Sequence, residues 1–213
     1  MHLISVNVGQ ETPIQNAKSS GKTGIYKQPV LSPVEVTPLG LKGDVICDVE
    51  NHGGLEQAIY VYGAPDYAWW SEELGRELLP GTFGENLTIA ELESARYSIG
   101  DRLRTGTVIL EVTSPRIPCV TLAARMGDPT FVKRFKQAER PGLYCRVIRP
   151  GFVQSGDPVT YEPYQGVTVT AIEMFREFYA PSEDVATIRR HIAAPIHAKD
   201  RAWQEERLRK LLD

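Results

Sequence analysis

The residues best suited to chemistry lie in Ser114-Pro115-Arg116-Ile117-Pro118-Cys119. A thiol sits behind two prolines and beside an arginine, just past the apolar run Val108-Ile109-Leu110-Glu111-Val112. Proline fixes φ and cannot donate a ladder hydrogen bond, so a strand through this run stops near Pro115 and leaves Cys119 on a rigid turn. Arg116 could hold an anion or favour a thiolate. The chemistry open to such a thiol is sulfur transfer, a metal–thiolate bond or nucleophilic attack. The alternative is a buried filler, since free cysteine often behaves as a small hydrophobe.

Other polar clusters sit in turns. In Asn51-His52-Gly53-Gly54 the two glycines permit positive φ and close backbone approach to a ligand, with N–H groups able to hold an anion and His52 able to donate to an oxygen. In Phe83-Gly84-Glu85-Asn86-Leu87, Glu85 and Asn86 suit recognition of a heterocycle carrying donors and acceptors, or else Asn86 bonds its own backbone in a capped turn. Gly40-Leu41-Lys42-Gly43-Asp44 could bring Lys42 to an anion or be a solvated turn. In Leu143-Tyr144-Cys145, strand alternation puts Leu143 and Cys145 on one face and Tyr144 on the other, so Cys145 reads as core. Cys47 lies in a polar loop and is given no role. His191 and His197 read as solvated helix positions. No His or Cys spacing suits zinc, and no Walker loop, dinucleotide fingerprint or nucleophile elbow is present.

The elements that must position these groups are mostly strands. Short runs separated by Gly, Pro and Asp turns are predicted at Leu3–Val8, Val30–Val36, Gln57–Tyr62, Asn86–Ile89, Asp101–Arg104, Thr107–Thr113, Leu143–Ile148 and Pro158–Glu162, the pattern of a barrel or sandwich. Arg104-Thr105-Gly106-Thr107 reads as a hairpin turn. Helices are predicted at Pro65–Leu78 and Pro129–Glu139. After Pro163 strand signals stop, and Val167–Phe178, Ser182–Ala193 and Ala198–Leu212 each read as a helix, with Ser182 as a cap. The expected fold class is therefore mainly β with inserted helices over residues 1–163, followed by a small three-helix C-terminal domain over residues 164–213. The tail is expected to pack on the barrel without entering the pocket, and a homodimer contact is a further role it could serve.

Composition narrows the function. The 213 residues carry a net charge of −3, which argues against a general nucleic-acid binder. Three cysteines with no C-x-x-C pair suit a reducing cytosol. The first residues read as a strand rather than a signal peptide, and no apolar run approaches the ~20 residues needed to span a bilayer. A cytoplasmic protein with no membrane partner is expected.

The order of the motifs adds what no single one carries. Gly-Leu-Lys-Gly-Asp at 40–44, His-Gly-Gly at 52–54, Phe-Gly-Glu-Asn-Leu at 83–87, Ile-Gly-Asp at 99–101, Ser-Pro-Arg-Ile-Pro-Cys at 114–119 and Gly-Leu-Tyr at 142–144 follow one another. This set resembles the MOSC domain, named for the C-terminal domain of molybdenum-cofactor sulfurases, and most of all its stand-alone bacterial branch linked to tolerance of N-hydroxylated purines, which carries a three-helix tail. The resemblance implies a MOSC-type β-barrel. It implies that Cys119 is a sulfur carrier or a molybdenum ligand beside the two sulfurs of molybdopterin, the molybdenum cofactor. Soft thiolate ligation suits that chemistry. It makes His52, Gly53, Gly54, Asn86, Arg116 and Tyr144 cofactor-pocket candidates, with Arg116 the best placed for the pterin phosphate. After His-Gly-Gly this chain has Leu55-Glu56-Gln57, where the family's pattern often has Pro-Asp and a basic residue. The function implied is a reductase of small N-hydroxylated compounds fed by a separate electron-donating reductase. The alternative is a non-catalytic carrier of the cofactor or of a persulfide.

Overall fold

The computed structural model describes residues 1–17 and 21–213. In chain order the strands are β1 (Leu3–Val8), β2 (Thr12–Pro13), β3 (Lys22–Thr23), β4 (Gln28–Pro29), β5 (Val34–Thr37), β6 (Gly40–Leu41), β7 (Ile59–Gly63), β8 (Leu87–Ile89), β9 (Arg102–Thr105), β10 (Val108–Pro115), β11 (Leu143–Arg149), β12 (Gly151–Val153) and β13 (Val159–Glu162). The helices are α1 (Ala64–Leu74), α2 (Val120–Met126), α3 (Phe131–Ala138), α4 (Ala171–Tyr179), α5 (Val185–Ala193) and α6 (Ala198–Leu212).

β10 is buried along its whole length and ends at Pro115, where the missing N–H stops the ladder. It pairs antiparallel with β9 through the turn at Gly106 and with β11 on its other edge. The main sheet runs β13-β9-β10-β11-β7-β8-β1-β4, with β7 and β8 parallel and the remaining pairs antiparallel. The expected barrel is not closed by a ladder. One edge of β1 is shared, its far end with β4 and its start with the turn before β13. Only the bridge His2↔Pro158 and short contacts such as Leu3 N–H to Asp157 O at 2.9 Å join the first and last strands.

The two faces of the sheet bury different chemistry. One face holds the aliphatic core of Leu3, Val6, Val61, Leu87, Leu103, Leu110, Val112, Leu143 and Cys145. Ala171, Met174, Ala194 and Ile196 from the helical tail complete that same core. The other face holds an aromatic cluster in which Tyr60, Tyr62 and Tyr144 of the strands meet Tyr67 and Trp70 of α1, Phe83, and Phe131 and Phe135 of α3. Trp70 is fully buried and donates from its indole to Tyr62 Oη at 2.9 Å, which satisfies its one polar atom.

Several sequence expectations shift. The strand expected over Val30–Val36 is broken at Leu31-Ser32-Pro33, leaving β4 and β5. α1 ends at Leu74, four residues early, because Gly75 takes the left-handed conformation at φ 62°. α5 is capped by Asp184, whose carboxylate accepts from the Ala186 and Thr187 amides, and not by Ser182. α2 was not foreseen. Its seven residues are too few for a periodic apolar stripe to stand out. His191 and His197 are not solvated. His191 is fully buried, bonded to Glu173 at 2.8 Å and facing Gln204 at 3.2 Å, and the Nδ1 of the buried His197 accepts from the Lys199 amide to cap α6.

Candidate functional site

Cys119 stands where the strand-end turn becomes a helix. It is the N-cap residue of α2, extended at φ −126°, and its carbonyl accepts from the Leu122 and Ala123 amides. Its sulfur is half-buried and lies 3.9 Å from His52 Nε2. The other imidazole nitrogen, Nδ1, lies 3.3 Å from Asp48 Oδ2. A loop between β6 and β7 thus carries a carboxylate and an imidazole in line to the thiol. Burial pushes the Cys119 thiol pKa up. The His52 hydrogen bond, the Arg116 charge and the Leu122 amide more than offset it and bring the thiol down to about 6.

Arg116 is buried at 4% exposure. Its guanidinium lies 4.9 Å above the Tyr60 ring and donates to the Phe83 carbonyl, while its Nε is buried with no hydrogen-bond partner. Among the described residues no carboxylate pairs with it. The Tyr144 ring packs 5.0 Å from Tyr60, and burial raises the Tyr144 pKa against the pull of Arg116, so its hydroxyl stays protonated.

His52, Gly53, Asn86, Arg116, Cys119 and Tyr144 line one cavity of about 720 Å³, its open mouth included. Gly54 is not part of this lining. Gly53 has φ 75°, and a Cβ there would stand 2.7 Å from Ile46 Cδ1, so this turn excludes side chains.

The structure separates two alternatives the sequence leaves open here. Glu85 does not line the cavity. It is fully buried and its carboxylate accepts from Tyr67 Oη, the Gly81 amide and Thr88 Oγ1, with burial pushing its pKa up. Lys42 turns outward to Glu35 at 2.8 Å.

Sequence reasoning also missed residues. Lys27, Asp44 and Cys47 line the cavity. Lys27 is only 7% exposed and its ammonium sits on both oxygens of Asp44. Tyr26-Lys27-Gln28 carries no local signal for burial. The only hint was Asp44, next to the Lys42 already singled out.

These features fit a soft metal that brings further ligands with it. Among the described residues no group of three His, Cys, Asp or Glu is arranged to hold a metal ion. A thiolate held ionised beside a buried, unpaired guanidinium supplies one soft ligand and one anchor for an anionic oxygen. The MOSC domain family model matches residues 48–160, more than half the chain, from Asp48 through Cys119 to β13.

The chain belongs to the MOSC domain family. It is 37% identical over 154 residues to protein YflK of Bacillus subtilis, covering 72% of this chain and 70% of YflK. It is 32% identical over 157 residues to a protein of Gibberella moniliformis named a reductase, covering 71% of this chain but only 28% of that protein. The crystal structure of YiiM from Geobacillus stearothermophilus superposes with a TM-score of 0.79 at 28% identity, covering 97% of this chain and 98% of that one. No helix among the described residues is long and apolar enough to cross a membrane.

Proposed function

We propose that this MOSC protein binds the molybdenum cofactor through Cys119 and reduces small N-hydroxylated compounds, hydroxylaminopurines among them. The observation that carries the reading is the meeting of an acidified thiol and an unpaired buried arginine in one cavity. When bound, the cofactor supplies the two-electron chemistry that removes the oxygen from N–OH. Overall, N–OH takes two electrons and two protons and becomes N–H and water. The electrons come from a separate reductase protein.

The chain's own residues do the rest. Cys119 offers a thiolate at neutral pH without a strong base nearby. His52, held by Asp48, keeps a ring nitrogen toward the sulfur and is placed to exchange protons with a group bound there. Arg116, stacked on Tyr60 in the cavity wall, brings a positive charge to bear on an anionic ligand. Tyr144 offers a phenol hydroxyl that remains a donor across physiological pH. The turn at Gly53 lets backbone approach the ligand closely. The name of the fungal relative and the motif order of the hydroxylaminopurine-tolerance branch support the choice of reaction over a cofactor or persulfide carrier.

Turnover tests the reading. Protein expressed in a cofactor-competent host, with reduced viologen as electron donor, should convert 6-N-hydroxylaminopurine to adenine, and Cys119→Ser should not. Molybdenum-loaded protein inert toward several N-hydroxylated substrates would favour the carrier.

A further inference from the structure

We propose that the helical tail positions the site from outside the cavity: Lys199 at the start of α6, and Arg146, itself held by the tail, grip from both sides the loop that presents His52 to Cys119. The role of His52 at the sulfur rests on the reading above, and its placement by the tail goes beyond it.

The loop has little of its own to hold it. None of residues 48–57 is buried. Its internal bonds are short-range. The His52 amide donates to Asp48 O at 3.0 Å, Asn51 Nδ2 to Asp48 Oδ1 at 2.9 Å and the Gln57 amide to Gly54 O at 3.3 Å. A segment with few buried contacts opens readily. Its position therefore depends on bonds to other elements.

Those bonds lead to the tail. Before His52, the Glu50 carbonyl accepts from Lys199 Nζ at 2.8 Å. After His52, the Glu56 carboxylate pairs with Arg146 of β11 at 3.0 Å, and the Glu56 carbonyl accepts from Thr113 Oγ1 at 2.6 Å. The tail reaches both of these partners too. Arg146 Nη2 donates to Pro195 O at 2.9 Å, and the His197 amide donates to Thr113 O at 3.1 Å. Its own contact points are fixed. Ala194 and Ile196, on either side of Pro195, are buried in the aliphatic core. His197 caps α6 by accepting from the Lys199 amide, which sets Lys199 in the first turn. A cation there opposes the helix dipole, so α6 itself gains nothing from Lys199. Its bond crosses to the loop instead. The tail thus bears on Cys119 through His52 without lining the cavity.

NMR of full-length, cofactor-free protein tests this. One readout is the exchange rate of the His52 amide, whose bond to Asp48 breaks when the loop opens. The other is the NOE between the His52 ring and the Cys119 β protons. Lys199 is exposed, so Lys199→Met should melt at the wild-type temperature. It should nevertheless exchange the His52 amide about three- to tenfold faster, the loss of one hydrogen bond, and weaken the NOE. Lys199→Arg keeps a charged donor and should restore both. Glu56→Ala cuts the tie on the other side while leaving Arg146 its partner Glu111, and should act in the same direction. His191→Ala loosens the tail away from the loop and should leave His52 as in the wild type. An unmoved His52 in folded Lys199→Met or folded Glu56→Ala overturns the proposal. So does a loss that Lys199→Arg does not repair, or an equal change in His191→Ala, which would mark general destabilisation. If Glu56→Ala does not fold, Lys199→Met decides alone. No metal or substrate enters these measurements, so failure of the reductase reading would leave them unchanged, and their failure would leave that reading in place.

Discussion

Removing the imidazole beside Cys119 should move its titration by an amount the geometry sets. With a pKa of about 6, Cys119 is about 90% thiolate at pH 7, against about 3% for a free thiol of pKa about 8.5. Burial opposes ionisation at this sulfur, so His52, Arg116 and the Leu122 amide supply the difference. His52→Ala removes the imidazole contact at 3.9 Å and leaves the Arg116 charge in place. The sulfur is half-buried, so solvent screens part of the effect, and a rise of about 1 to 2 units, or roughly 1.4 to 2.7 kcal/mol, is expected. A midpoint near 7.5 leaves roughly eightfold less thiolate at pH 6.5. The assay is the pH dependence of alkylation by iodoacetamide in metal-free protein. A Cys47→Ser background removes the other accessible thiol, and the pKa of the fully buried Cys145 is pushed up out of range. The midpoint is the readout, because a thiolate of lower pKa is also a weaker nucleophile and absolute rates mix the two effects. A wild-type midpoint at 8.5 or above, or one midpoint shared by wild type and His52→Ala, would refute the account of this thiol.

Three stability predictions follow from packing. Trp70→Ala opens the centre of the aromatic cluster and should cost about 3 to 5 kcal/mol by denaturant unfolding. His191→Ala strips Glu173 and Gln204 of a buried partner and should cost about 1 to 3 kcal/mol, with the thiol titration of Cys119 unchanged. Cys145→Ala, in the aliphatic core behind the sheet, should cost about 1 kcal/mol and leave molybdenum content at the wild-type level.

The parts of the site that were legible in the sequence are those set by local chemistry. Pro115 and Pro118 had to end a strand and fix a turn, so the placing of Cys119 and Arg116 needed no tertiary information. Alternation along β11 separated Tyr144 from Cys145 correctly, one to the aromatic side and one to the aliphatic core. Residues whose role depends on distant chain were not legible. Lys27 and Asp44 sit in segments that look solvated until Gly9, Asn86 and the aromatic face close over them. Glu85 and Asn86 looked like ligand readers because both are polar and precede a strand, yet Glu85 Oε1 is taken by Tyr67 and Thr88 behind the cavity, and Asn86 is committed to Tyr60 and Asp44. His191 looked solvated on a charged helix, and only the packing of α4 and α6 against α5 buries it. Barrel closure failed for a similar reason, since nothing in the short run at Gln28–Pro29 announces that it takes the edge of β1.

The proposed role of Cys119 as molybdenum ligand is open to direct measurement. The direct measurement is molybdenum and molybdopterin per chain, by elemental analysis and pterin fluorescence, in wild type and Cys119→Ser purified from the same cofactor-competent host. Near-stoichiometric molybdenum and pterin are expected in the wild type, with loss of the metal from a Cys119→Ser protein that unfolds at the wild-type denaturant midpoint. Wild-type protein devoid of both, or a serine variant that retains molybdenum at the wild-type level, would contradict it.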